Sequence, residues 1–239
     1  MQVAILAGGF GTRLSEETDK LPKPMVRIGE MPILEHIINY YNSYGHSDIV
    51  ILAGYKYEII EEYFSNNYRF NNSKSAIRVI DTGLHTSTGG RIKKVENILD
   101  DVFLMTYGDG LIDVDINKTI DHFKKGNFLG SVTAVRPPAR FGTLEIEENG
   151  VISKFQEKNK AEVGWINGGF FVMKKEICNF IDEEESLEGG ALTLLANEGK
   201  LLAYKHEGWW QPMDTLREKK ELESLWYSGN APWIKNECN

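Results

Sequence analysis

Short apolar runs rich in β-branched residues alternate with amphipathic stretches through the first half of this chain. That alternation constrains its fold more than any other feature. "VAIL" (Val3–Leu6), "DIVIL" (Asp48–Leu52), "AIRVID" (Ala76–Asp81) and "VFLMTY" (Val102–Tyr107) predict buried strands. Between them, "PILEHIINYYNSYG" puts Ile33, Leu34, Ile37, Ile38 and Tyr41 on one helical face, with Pro32 suited to the first turn. "YEIIEEYFSN" predicts a second helix, and "TSTGGRIKKVENIL" a loop entering a third. Such alternation predicts an α/β fold: a Rossmann-like mixed, mainly parallel sheet flanked by helices. The second half changes character. "GSVTAVRP", "GTLEIEENGVISKFQEK" and "NGGFFVM" predict strands joined by turns, with "ENG" a hairpin signal. Helical stretches are expected near Lys175–Ile181 and Ala191–Glu198, then a strand "LLAYKH" and a closing helix "TLREKKELESLWYSG".

Composition narrows the possible partners. The 239 residues carry 27 Lys+Arg against 35 Asp+Glu, a formal charge of −8. That balance argues against a nucleic-acid surface, though a small basic pocket remains open. Cys178 and Cys238 show no zinc or redox spacing and suit a reducing cytoplasm. The five histidines form no ligand pair. "MQVAILAGG" is too short for a secretory apolar region, and no apolar run approaches membrane-spanning length. The expectation is a cytoplasmic protein with no nucleic-acid and no membrane partner.

The first loop concentrates unusual chemistry. "LAGGFGTRL" with "PKP" beyond it places Leu6, Ala7, Gly8, Gly9, Gly11 and Thr12 beside Arg13 and Lys23. Glycine backbone N–H groups can approach phosphate oxygens closely, and the two cations add fixed positive charge. A bare G-G-x-G is a common turn; the extended pattern is far more specific, and it is neither the Rossmann fingerprint nor the Walker loop. "YGDG" sets Asp109 just after a strand, where α/β sheets bind ligands. Asp214 in "QPMDT" is either a second acidic site residue or the cap of the last helix. Thr88, which precedes Gly89 and Gly90, is a candidate helix cap. "DVD" (Asp113–Asp115) matches a D-x-D metal motif formally, but it lies where a helix begins and is read as a capping segment. "DEEES" (Asp182–Ser186) is read as a solvated loop. Trp209 and Trp210 suit a pocket wall or the core, with at least one in the core.

"AILAGGFGTRLSEET", "PKPMVRIGEMPILEHII", "DTGLHTSTGGRIKKV", "TYGDGLIDVDI", "RFGTLEI", "FQEK", "INGGFFVM" and "GWWQPMDTLREK" together resemble the sugar nucleotidyltransferases, most closely the glucose-1-phosphate cytidylyltransferase branch, in the same order and over nearly the whole chain. The resemblance implies one nucleotidyltransferase domain over 1–239, with a nucleotide-binding half at about 1–115 and an acceptor-binding half at about 116–239. It implies cytidylyl transfer from CTP to a small phosphorylated acceptor, with Arg13 and Lys23 catalytic. The nucleotide would lie on residues 6–9, Gly11, Thr12, Thr88, Gly89, Arg91 and Asp109. Mg²⁺ would lie on Asp109 and Asp214. Glu157, Lys158 and Asn167 would face the acceptor, with Arg140 and Gly142 shaping the cleft.

Two departures bear on the acceptor and on a possible homo-oligomer. The stretch before "DTG" is short, where the family carries an extra segment linked to subunit contacts. "LEGGA" (Leu187–Ala191) lacks the family's bulk and charge. A branch of capsule phosphoramidate pathways, which uses L-glutamine phosphate, resembles this shorter form. L-glutamine phosphate is therefore the expected acceptor and glucose 1-phosphate the alternative, with weak or absent turnover of glucose 1-phosphate expected. A non-catalytic nucleotide-binding regulator and a glycosyltransferase are the readings from other classes. The four charged residues Arg13, Lys23, Asp109 and Asp214 favour an enzyme.

Overall fold

The computed structural model describes residues 1–66, 75–137, 143–147, 150–156 and 164–235, and only the backbone of Arg13, Ser15, Glu16, Asn66, 143–146 and 154–156. The apolar runs of the first half form β1 (Gln2–Ala7), β2 (Asp48–Ala53), β3 (Ala76–Asp81) and β4 (Val102–Tyr107). Between them lie α1 (Ile33–Ser43), α2 (Tyr57–Asn66) and α3 (Thr88–Lys94). A short strand β5 (Gly110–Ile112) follows, then α4 (Ile116–Lys124) and β6 (Gly130–Val135). β7 (Thr143–Ile146) and β8 (Ile152–Gln156) form an antiparallel pair, with Gly150 at φ +84°; Glu148 and Asn149 of the expected "ENG" hairpin turn lie outside the described residues. Then come β9 (Ile166–Lys174), α5 (Thr193–Asn197), β10 (Leu201–His206), β11 (Trp210–Pro212) and α6 (Leu216–Tyr227).

Seven strands make one sheet in the order β10-β6-β9-β4-β1-β2-β3. All its pairings are parallel except those of β9, which runs antiparallel to both β4 and β6. The sheet is therefore mixed and mainly parallel, as the alternation predicts. Its central strands bury both faces, so each side of the period-two pleat feeds a separate core. Ile5, Ile51 and Leu104 pack with Ile37 and Ile38 of α1 and Leu222 of α6. Leu6, Val50, Phe103 and Met105 pack with Ile92 of α3 and Leu195 of α5. Truncating one such fully buried side chain to Ala costs about 2–5 kcal/mol.

Chain direction places the site. β1 and β4 end at the same edge of the sheet, and β9, being antiparallel, begins there. The loops after Ala7 and Tyr107 and the residue Asn167 thus meet although they are far apart in sequence. The Lys175–Ile181 stretch is a 3₁₀ turn over Lys175–Phe180. The Ala191–Glu198 helix begins earlier than expected, with a π-helical turn over Glu188–Leu192 that runs into α5. The cap of α3 is Ser87, whose Oγ accepts from Gly90 N at 2.8 Å, and not Thr88. Asp115 caps α4, as the capping reading of "DVD" predicts, and 182–186 is exposed throughout.

Candidate active site

Lys23 is the centre of the site. It sits on a 3₁₀ turn flanked by Pro22 and Pro24, whose fixed φ angles hold the turn, and it is buried at 8 % exposure. Its ammonium donates to Asp109 Oδ2 and to Asp214 Oδ1, both at 2.6 Å. Burial pulls its pKa down, and the charges and hydrogen bonds of Asp109 and Asp214 more than offset this, leaving it raised above the ordinary 10.5.

The two aspartates are brought together by backbone pairing. β5 and β11 form a small antiparallel ladder with Gly110 opposite Pro212, and Met213 N donates to Asp109 O at 2.8 Å. The α6 cap is Thr215, in a reciprocal capping box with Glu218. The Asp214 carboxylate is therefore directed to Lys23 instead of capping the helix.

The glycines of the first loop have separable roles. At Gly8 a Cβ would stand 2.2 Å from the Arg91 guanidinium, so glycine admits that side chain. Gly11, at φ +65°, leaves room for the Lys23 stem and the Thr18 methyl. Gly9 is exposed and faces open space. Arg91 is buried and its guanidinium spans three loops. It donates to Gly8 O at 3.0 Å, Ala53 O at 2.9 Å, Gly83 O at 2.9 Å and Thr82 Oγ1 at 2.6 Å. It braces the floor of the cleft through backbone carbonyls.

Two cavities meet at the Asp109 and Asp214 carboxylates. The larger, about 480 Å³, is lined by residues 6–9, Gly11, Thr12, Lys23, Thr88, Arg91, Asp109 and Asp214, with Phe10 and His85 at its rim. The smaller, about 210 Å³, is lined by Asn167, Gly168, Gly169 and Trp210, and shares Tyr107, Asp109 and Asp214 with the first. Trp210 is a wall residue whose Nε1 donates to Gly168 O at 2.8 Å, whereas Trp209 packs on the first core and stacks on Trp233. Most of the expected site residues are thus brought together. Gly89 is not among the lining residues. A Cβ there would lie 2.9 Å from Glu185 O, so it serves the packing of α3 on the 181–187 segment. Arg13 lies on the Thr12–Leu14 turn with its backbone alone described. Glu157, Lys158, Arg140 and Gly142 lie outside the described residues, as do 67–74 in the shortened stretch before "DTG".

Two polar residues, one in this wall and one behind it, escape a reading by motif. Tyr107 separates the cavities, and its hydroxyl donates to Glu188 Oε1; burial, then the Glu188 charge, pushes that phenol's pKa well up. Glu188 is the one acid of the "LEGGA" segment. Gly189 and Gly190 line neither cavity; a Cβ on them would meet Ser186 and Glu185.

The family model described as nucleotidyl transferase matches residues 2–215, and the chain belongs to that family. It is 45 % identical to proteins named glucose-1-phosphate cytidylyltransferase from Salmonella typhi and from Salmonella typhimurium, over 98 % of this chain and 98 % of each of those. Among solved structures, HddC from Yersinia pseudotuberculosis complexed with GMP-PN is 25 % identical, with a TM-score of 0.69 over 94 % of this chain and 99 % of that one.

Proposed function

We propose that this enzyme transfers CMP from CTP to a sugar 1-phosphate, glucose 1-phosphate foremost, and releases pyrophosphate. The observation that carries the reading is the Lys23 ammonium held between Asp109 and Asp214 where the two cavities meet. The identity with glucose-1-phosphate cytidylyltransferases along nearly the whole chain supports the base and the acceptor.

The larger cavity takes the nucleotide and the smaller one the acceptor. The acceptor's phosphate oxygen attacks the α-phosphorus, and pyrophosphate leaves on the opposite side. A phosphate is already anionic at neutral pH, so no side chain need remove a proton. The obstacle is the approach of two polyanions, and Lys23 lies at their meeting point with its charge fixed in advance. Arg91 holds the Gly8 carbonyl, and Gly9 leaves its backbone open toward the phosphates.

Magnesium suits this donor set. Asp109 and Asp214 converge on one point, the Lys23 ammonium, and would offer two hard ligands, with phosphates and water to complete them; among the described residues no group of three or more His, Cys, Asp or Glu forms a cage. When bound there, Mg²⁺ would neutralise phosphate charge in the ground and transition states.

The test is an acceptor and nucleotide screen read by pyrophosphate release. CTP with glucose 1-phosphate should give the highest kcat/KM, above UTP, GTP, ATP and dTTP and above L-glutamine phosphate. Equal release with UTP would reduce the reading to a pyrimidine nucleotidyltransferase. A preference for glutamine phosphate would refute the sugar acceptor.

A further inference from the structure

The hydrogen bonds around Tyr107 have a direction. Glu188 Oε1 takes the phenolic hydrogen, and Glu188 Oε2 takes the Thr88 hydroxyl hydrogen at 2.8 Å. Thr88 Oγ1 in turn accepts from Leu187 N at 2.9 Å. On the other side, Asn167 Nδ2 approaches the phenol oxygen at 3.5 Å, while Asn167 Oδ1 is engaged by Gly169 N at 2.8 Å. The Tyr107 ring cannot turn away. Phe171 stands edge-on to it at 5.9 Å between centroids, and Gly169 lies so close that a Cβ would be 2.6 Å from the ring.

A phenol has one hydrogen to give and lone pairs to receive with, whereas a carboxylate only accepts. With its hydrogen committed to Glu188, Tyr107 presents only lone pairs to the smaller cavity. Glu188 lines neither cavity, so it acts through Tyr107. We infer that Glu188 is a positioning residue that fixes Tyr107 as a hydrogen-bond acceptor, so that the site selects a phosphorylated acceptor bearing a hydrogen-bond donor, a hydroxyl or an ammonium, near its phosphate. This rests on the assignment of the smaller cavity to the acceptor.

The selection has a chemical consequence. A substrate hydroxyl replaced by fluorine keeps its size and polarity but has no hydrogen to donate. It would leave the lone pair of the Tyr107 oxygen that Asn167 does not face without a donor, a loss of about tenfold in binding for an uncharged pair. Removing Glu188 frees the phenol to rotate its hydrogen toward the cavity and blurs the distinction. A glutamine there keeps a carbonyl oxygen that can still take the phenolic hydrogen.

The experiment compares glucose 1-phosphate with its monodeoxyfluoro analogues by kcat/KM for wild type, Glu188→Gln, Glu188→Ala and Tyr107→Phe, with Mg²⁺ and each of CTP, UTP, GTP, ATP and dTTP. The readout is the ratio between parent and analogue, which a general loss of stability or turnover does not move. In wild type, one analogue should fall about tenfold below the parent. The ratio should collapse toward one in Tyr107→Phe and in Glu188→Ala, and return in Glu188→Gln. A nucleotide other than CTP giving the turnover would refute the cytidylyl reading while leaving the ratio readable. Where no sugar phosphate turns over, calorimetric titration with the same panel supplies the ratio. Equal affinity for parent and analogues, no binding at all, or an unchanged ratio in Glu188→Ala overturns the inference.

Discussion

Lys23 carries two loads that separate experimentally, since one ammonium neutralises two carboxylates and also faces the phosphates. Replacing it with Met should lower kcat on the order of a hundredfold in a pyrophosphate-release assay, the scale of losing one preorganised electrostatic contact. The folding contribution of Lys23 has a definite pH sign. Its folded pKa is raised above 10.5, so the contribution is fully present below that value and is lost only as pH rises through the higher folded value. The stability gap between wild type and Lys23→Met, from urea unfolding, should hold from neutrality to about 10 and close only beyond the ordinary lysine range. A gap that closes well below it would contradict the double ion pair. Asp214 and Thr215 divide in the same way. Asp214→Asn should abolish turnover while lowering Tm less than Lys23→Met does, because Lys23 keeps Asp109 and because Thr215 and Glu218 make the cap. Thr215→Ala should cost about 1 kcal/mol of stability, the usual value of a lost cap, and spare the chemistry. The reverse pattern would make Asp214 a structural residue. Lys23, Asp109 and Asp214 were legible as residues because each stands in a strongly patterned segment. Glu188 was not, because it stands in a π-helical turn and its partner Tyr107 ends β4, far away in sequence, and only the fold shows that the acid left in "LEGGA" meets that phenol.

At the scale of elements, the strand runs of the first half announced themselves through period and β-branching. β5 and β11 did not, since three residues are too few to show a period. Yet that small ladder sets the spacing of the two aspartates. β9 shows a similar mixture. Its apolar run was plain, but its antiparallel course, which brings Asn167 to the site, depends on neighbours that no local pattern names. Gly169 is the residue where this course is most exposed to test. It lies at φ +81°, a region that L side chains rarely adopt, and its missing Cβ leaves space for the Tyr107 ring. Gly169→Ala should therefore destabilise the fold by about 1–3 kcal/mol in urea unfolding, from backbone strain plus displacement of the ring. It should also raise KM for the acceptor more than KM for CTP, because the strain falls on the wall of the smaller cavity. A neutral substitution would mean that Tyr107 is not held by β9.

Across the whole molecule, one sheet runs through both halves. The second-half strands β10-β6-β9 lie side by side with the first-half strands β4-β1-β2-β3, and the two sets join at the antiparallel β9–β4 pair. The segment after α6 then returns to the first helix. Trp233 is buried, stacks on Trp209 at 5.3 Å, and donates from Nε1 to His36 Nδ1 at 3.2 Å. With Nδ1 accepting, the neutral ring must carry its hydrogen on Nε2, which faces Ile28 O at 3.0 Å. A proton added at Nδ1 would point at the Trp233 N–H. Burial lowers the His36 pKa below 6.5, with Ile28 O and the nearby acids Glu35 and Glu30 pulling the other way. The sign follows from this lowered value. The fold holds the neutral ring, so stability is full above 6.5 and falls as pH drops from there toward the lower folded pKa, because the unfolded chain takes up the proton first. Unfolding free energies measured from pH 7 down to about 5 should decline in wild type more steeply than in His36→Gln, whose amide cannot charge. His46, also lowered chiefly by burial, should leave a shallower slope in that variant. Parallel slopes would show that the closing segment does not depend on the neutral imidazole. A Trp233→Ala variant that unfolds with α1 intact by hydrogen exchange would show that the two ends are not one cooperative unit.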